Sequence, residues 1–233
     1  MNPASATAVR CGAMIEHPLL RACGVGHGFG TRGDAAPPGL LRPRQVHGAR
    51  VVQAQECAPG IDADAVVTRA ARPIGVVTAD CVPVLAATAG GRAVAAIHAG
   101  WRGLAAGVIE AGIDALQREA AREPLYAVIG PHIGPCCYEV DAPVLNALRH
   151  FDAHLDAATT ACRPGHHQLD LGTLARAALL RAGVSPRAIG AIASSCTSCD
   201  AQRFHSYRRD GSRAGRLVHW IAVRILDSAG SDA

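Results

Sequence analysis

Two short apolar runs within residues 74–103, IGVVTADCVPVLAATAGGRAVAAIHAGWRG, each end in a residue able to do chemistry. Ile74–Thr78 leads into Ala79-Asp80-Cys81, and Ala93–Ile97 leads into His98 and then Gly100-Trp101-Arg102-Gly103. Apolar runs of this kind, bounded by Gly and Pro, predict buried strands. Two such strands, adjacent in one sheet, would bring Cys81 and His98 together at its rim. His47, in the turn before another short strand, reads alone as an ordinary turn residue. With Cys81 and His98 it makes a set of two imidazoles and one thiolate. Three protein ligands leave one position for water, as in a catalytic zinc site. Bound zinc would lower the pKa of that water to about 7. Without a metal, the Cys81 thiolate would be a nucleophile and His98 its base. Spacing alone does not choose between these, because the ligands come from three separate loops.

Arginines supply the second element of a site. Leu104, Val108, Ile109, Ile113 and Leu116 recur at helical spacing and predict one helix over about 103–120. Its start lies beside Arg102, and free N–H groups next to a guanidinium suit phosphate. Arg208 and Arg209 of Phe204-His-Ser-Tyr-Arg-Arg-Asp-Gly211 are further candidates, with Arg209 as the expected phosphate ligand beside Arg102. Asp80, next to Cys81, is a candidate proton carrier or an orienting group. Asp64 precedes the strand Ala65–Thr68 and reads as a turn cap.

Other cysteines carry weaker signals. Cys136 and Cys137 are adjacent, would point in different directions, and read as structural. Cys196-x-x-Cys199 has the spacing of a zinc or redox pair, but the absence of a second such pair argues against a four-cysteine zinc ribbon. The His-x-Glu with Pro-Cys-x-x-Cys signature of zinc nucleobase deaminases is missing. So are the repeated His-x-His pairs expected of a multicopper oxidase.

The surrounding pattern alternates strands and helices. Strands are expected at 50–53, 65–68, 125–129, 188–193 and 217–225. Helices are expected at 142–148, with Pro143 near its start, and at 170–182, with Gly183 after its end. Gly26–Gly33 lacks the strand-then-helix context of a phosphate loop and reads as a strand end with tight turns. Residues 150–167 read as an irregular polar segment. Nothing marks a linker, so a single domain over 1–233 is expected.

Composition bounds the function. The chain is 49% hydrophobic and 18% charged, which suits a globular domain with a sizeable core. It has no lysine, so its 23 basic residues are scattered arginines, and aromatics are only 3%. A basic face interleaved with aromatics is therefore absent and no nucleic-acid partner is expected. Neither a signal-type apolar region nor a membrane-length apolar run occurs, which predicts a cytoplasmic protein with no membrane partner. Nine cysteines without a framework rhythm are expected to be free, metal-binding or catalytic.

RQVHG (44–48), TADCVPVL (78–85), AAIHAGWRG (95–103), GPHIGPCCYEV (130–140) and FHSYRRDG (204–211) closely resemble the YfiH/YlmD family. This is the multicopper polyphenol oxidase or laccase-domain family, with purine nucleoside phosphorylase and peptidoglycan editing factor groups, and the likeness runs over about 27–225. The resemblance implies an α/β fold with mixed sheets flanked by helices, related to the catalytic domain of cytotoxic necrotizing factor deamidases. It implies a zinc cofactor on His47, Cys81 and His98. It also implies phosphorolysis of adenosine, inosine, guanosine and methylthioadenosine, with adenosine deamination alongside. The chain departs from the family pattern where GFGTRG (28–33) passes almost directly to LLRPRQVHG, and at His205, where Phe is common. Two other classes remain: a Cys–His amidase acting on a peptidoglycan precursor, with Cys81 as nucleophile, and a zinc-holding module without catalysis.

Overall fold

A computed structural model of the chain describes residues 14–120, 123–193 and 196–223. In chain order the strands are β1 (Gly26–Phe29), β2 (Val51–Gln53), β3 (Ala65–Thr68), β4 (Ile74–Thr78), β5 (Val82–Thr88), β6 (Val94–Ala99), β7 (Leu125–Ile129), β8 (Glu139–Asp141), β9 (Thr159–Arg163), β10 (His166–Leu169), β11 (Ile189–Ala191) and β12 (Leu217–Ala222). The helices are α1 (Pro18–Ala22), α2 (Trp101–Ala105), α3 (Val108–Glu119), α4 (Ala142–Ala147), α5 (Ala153–Ala158), α6 (Leu171–Arg181) and α7 (Tyr207–Asp210).

The central sheet has six strands in the order β11-β7-β5-β6-β3-β2. It is mixed: β11 with β7 and β2 with β3 are parallel, and the inner pairs are antiparallel. Its middle strands are apolar on both faces because both faces are covered. Ala65, Val67, Val84, Ala95 and Ile97 face the core formed with α3 and α6. Val66, Leu85, Val94, Ala96 and Val128 face the opposite core, which is closed by the three-stranded sheet β1-β12-β4. The third sheet, β8-β10-β9, draws β9 and the start of β10 from the segment 150–167 that carried no period. Residues 150–167 are thus not irregular; they hold α5, the largely exposed β9 and the first half of β10.

Three sequence expectations change. The strand beside β6 is β5, which follows Cys81; β4, which precedes it, belongs to the three-stranded sheet. Pro83 obscured β5, because proline removes a ladder donor and is uncommon in central strands. Here it is the second residue of the strand, before the pairing with β7 starts at Val84. The expected helix over 103–120 is two helices, α2 and α3, separated at Gly107, whose φ of 79° is left-handed. The closing strand runs Leu217–Ala222, and residues 224 and 225 lie outside the described residues.

His219 ties the smaller sheet to the segment leading to Asp80. The Gly30 N–H donates to His219 Nδ1 (3.3 Å), and His219 Nε2 meets the Thr78 hydroxyl (2.8 Å). Complete burial pushes His219 down to about 3, so it serves as a neutral strut. Next to it, a Cβ on Gly75 would lie 2.4 Å from the His219 carbonyl oxygen, which is backbone and cannot move aside. Gly75→Ala is expected to destabilise the protein by about 1–3 kcal/mol, read as a lower urea midpoint at unchanged m-value.

Candidate metal centre and cleft

Register on the central sheet explains how Cys81 and His98 meet. Pro83 pairs with His98 and Val82 with Ala99, so Cys81, one residue before β5, comes level with the end of β6. His47 arrives on the turn before β2. The ligand atoms of His47, Cys81 and His98 lie within 4.8 Å of one another. His47 Nε2 is 3.8 Å from Cys81 Sγ, and the two imidazole rings meet edge-on with centroids 4.8 Å apart. Gly100 leaves room for them: a Cβ there would lie 2.9 Å from His47 Cδ2 and 3.0 Å from Cys81 Sγ.

Asp64 holds this arrangement. It is fully buried. Its Oδ1 accepts the His47 N–H (2.9 Å), and its Oδ2 accepts the N–H groups of Val46 (3.2 Å) and Gly48 (2.7 Å). Oδ1 also bonds His98 Nδ1 at 2.8 Å. Three backbone bonds fix the tight turn in which His47 takes a φ of 60°, costly for a residue with a side chain. The fourth bond occupies His98 Nδ1 and leaves Nε2 for a ligand, the usual outer support of a metal-binding histidine. The sequence reading of Asp64 as a turn cap is therefore true of its backbone bonds and incomplete, since its reach to His98 has no local sequence signal.

The electrostatics agree. Burial opposes the charge of Asp64, but His98 and the backbone donors hold its carboxyl below the usual range. Burial also opposes charge on His98, yet Asp64 and the Cys81 sulfur raise it to about 9. Cys81 is disfavoured as a thiolate by burial, and the hydrogen bonds and charge of His47 and His98 more than reverse this, lowering it to about 6. Two nitrogen donors and a sulfur that readily ionises suit zinc. A set this pre-shaped fits the group that the family resemblance implies.

Asp80 sits at the same rim with a φ of 94°. Both its oxygens are engaged: Oδ1 accepts the Thr197 hydroxyl (2.6 Å) and Oδ2 the Arg208 N–H (2.6 Å). That geometry makes it an anchor between loops more than a free proton carrier.

Beside the ligands opens a cleft of about 600 Å³, lined by His47, Cys81, His98, Trp101, Tyr138 and Tyr207 and by arginines. Arg102 lines it as expected, although α2 has only five residues and adds little dipole. Arg209 does not line it. Its guanidinium donates to the carbonyls of Thr197, Ser198 and Phe204 and pairs with Asp210. Arg208 takes the cleft position instead, over the Tyr138 ring at 5.0 Å. Arg42, Arg102, Arg208 and Arg216 all line the cleft and form no carboxylate pair among the described residues. Tyr138 had no distinguishing sequence signal.

Four cysteines gather outside this cleft. Cys136, Cys137, Cys196 and Cys199 hold their sulfurs within 4.8 Å of one another. The missing second Cys-x-x-Cys argued against such a group, but the fold replaces that second pair with two adjacent cysteines.

Two measurements follow from the first site. In metal-free protein, alkylation of Cys81 is expected to rise through pH 6 and level off, where an ordinary thiol would keep gaining reactivity toward about pH 8.5. Mass-spectrometric quantitation of the Cys81 peptide across pH reads this directly. Asp64→Asn keeps the shape but removes the charge and places an amide donor against N–H groups. It is expected to weaken metal binding by about 10–100-fold, read by competition with a chromophoric chelator.

A sequence model of the family described as multi-copper polyphenol oxidoreductase laccase matches residues 32–224. A purine nucleoside phosphorylase of Xylella fastidiosa is 42% identical over 189 residues, covering 76% of this chain and 70% of that protein. A protein named adenosine deaminase RL5, from an unknown prokaryotic organism, is 35% identical and covers 78% of this chain and 74% of its own length. The crystal structure of YlmD from Geobacillus stearothermophilus superposes with a TM-score of 0.78 at 28% identity, over 90% of this chain and 94% of that one. That of YfiH from Bacillus licheniformis gives 0.76 at 27% identity, over 85% and 92%. By matched length and by identity, the chain belongs to the laccase-like family of YfiH and YlmD.

Proposed function

We propose that this protein is a zinc-dependent purine nucleoside phosphorylase, cleaving adenosine, inosine, guanosine and methylthioadenosine with phosphate, and deaminating adenosine as a second activity. The observation that carries this reading is the joining of a His47–Cys81–His98 donor set to a cleft with four arginines that form no carboxylate pair among the described residues. The relatives named purine nucleoside phosphorylase and adenosine deaminase support it.

Phosphorolysis needs a bound phosphate whose oxygen attacks C1′ of the ribose as the C1′–N9 bond breaks. Arg102 and Arg208 flank the donor set and are the phosphate ligands in this reading, with Arg42 and Arg216 raising the local positive potential. Arg209 stays a structural residue. Tyr207, among the few large apolar side chains left exposed, offers a face for a purine ring, while the Trp101 ring is covered by the Arg102 guanidinium at 4.2 Å. Burial, reinforced by the Cys81 charge, pushes Tyr138 up to about 12, so its hydroxyl keeps its proton and can donate to a departing base. Asp80 positions Arg208 through the backbone bond. A zinc ion on the three ligands would supply Lewis-acid polarisation of water or of a substrate atom. Residues and cleft volume suit a nucleoside-sized guest.

One feature favours a second reading. Cys81, His98 and Asp64 also form a nucleophile–base–orienter series, as a Cys–His amidase acting on a peptidoglycan precursor would require. The two readings separate cleanly. Purified protein is given adenosine with and without phosphate, and products are resolved by chromatography. Adenine and ribose 1-phosphate formed only with phosphate, and lost on chelation, are expected; intact adenosine with zinc bound would overturn the phosphorylase reading. Turnover of an amide substrate that survives chelation but not alkylation would establish the amidase. Arg208→Ala is expected to raise KM for phosphate by about 10–100-fold, the loss of one charge-assisted contact of about 1.5–3 kcal/mol, with zinc content unchanged.

A further inference from the structure

The four-cysteine group lies where two loops cross. The loop after β7 contains Gly130-Pro131 and Gly134-Pro135, two rigid steps that turn the chain before Cys136 and Cys137. The Cys137 N–H closes a turn on the Gly134 carbonyl at 3.0 Å. The second loop carries Cys196-x-x-Cys199. An isolated bridge between His132 and Cys196 and the bond from the Thr197 N–H to the His132 carbonyl (3.0 Å) hold the loops side by side.

Sulfur spacing is that of a single tetrahedral ion. Cys199 Sγ is 3.5 Å from Cys136 Sγ and 3.4 Å from Cys137 Sγ, and all four sulfurs fall within 4.8 Å. Zinc bound at about 2.3 Å from each sulfur sets its ligands about 3.8 Å apart. A cluster of several irons would hold its thiolates further from one another. Backbone N–H groups point at Cys196 Sγ from Gly134 (3.2 Å) and from Cys199. Such donors stabilise thiolate around an ion and would be wasted on a thiol packed for its apolar surface. All four are free cysteines; Cys136 and Cys199 are exposed, and Cys137 and Cys196 are half-buried at the edge of the core. Adjacent cysteines can both reach one ion here because the turn at 134–137 carries both side chains to the same side, toward Cys199.

We infer that Cys136, Cys137, Cys196 and Cys199 form a second metal site, a closed tetrathiolate for zinc, separate from the His47–Cys81–His98 centre. Four protein ligands leave no open position, so its role is structural. What it secures is specific. Thr197, between two of its ligands, donates to Asp80 Oδ1, and the carbonyls of Thr197 and Ser198 accept from Arg209. The ion would therefore clamp the loop that anchors Asp80 beside the catalytic ligands.

Metal analysis of protein purified under reducing conditions tests this. About two zinc ions per chain are expected in the unaltered protein, one from each donor set. Cys196→Ser/Cys199→Ser is expected to lose one and keep the other, and Cys81→Ser the reverse. Cobalt substitution needs no variant: a thiolate-to-cobalt charge-transfer band of four-thiolate intensity is expected in the unaltered protein and in Cys81→Ser. One zinc per chain that Cys81→Ser abolishes, a cobalt spectrum showing only one thiolate, or disulfides among the four cysteines in protein kept reduced would each overturn the inference. None of these readouts depends on turnover, so they stand apart from the phosphorylase reading.

Discussion

A single buried carboxylate governs the geometry of this protein's cleft. Asp64 accepts four hydrogen bonds, three from consecutive backbone N–H groups and one from His98. A carboxylate without solvent is costly unless such donors satisfy it. Because they come from two distant stretches, satisfying Asp64 fixes His47 and His98 relative to each other. The fold makes this possible by setting β3, which follows Asp64, between β2 and β6. His98 lies at the end of β6 and His47 just before β2.

The charge states set the working range of the metal-free centre. Asp64 has a depressed pKa, so its contribution is present above the unfolded carboxylate value and fades as pH falls through the folded one. His98 is raised to about 9, so its contribution is complete below about 6.5, the unfolded value, and lost as pH climbs through about 9. Around neutrality both terms act together with an ionised Cys81. A metal entering this set finds the thiolate already formed and must displace the proton from His98 Nε2, so its binding releases acid.

Cys81 and His98 were legible because each ends an apolar run, whereas the α/β class came from the motifs that resemble the YfiH/YlmD family. The mixed sheet buried on both faces is what made those runs continuous. Asp64 was not legible as an organiser, since its decisive bond crosses 34 residues of sequence. β5 was hidden by Pro83, and the break at Gly107 by a periodicity that survives it: α2 and α3 turn Leu104 and Val108, Ile109, Ile113 and Leu116 into the same core. The four-cysteine group was hidden by a rule about spacing. A ribbon needs two Cys-x-x-Cys pairs only when each pair sits on its own hairpin turn, whereas a rigid Gly-Pro loop can present neighbours.

The exchange of roles between Arg208 and Arg209 shows how local geometry links the two clusters. On a helix, successive side chains diverge by about 100°. In α7, Arg208 therefore reaches the cleft while Arg209 turns back to the carbonyls of 197, 198 and 204. Ser206 caps this short helix by accepting the Arg209 N–H, and Asp80 accepts the Arg208 N–H. One turn of helix is thus braced on one side by the residue preceding Cys81 and on the other by the loop that carries Cys196 and Cys199. The position of the cleft arginine is determined by both, so the four-cysteine cluster and the His47–Cys81–His98 set are parts of one mechanical unit.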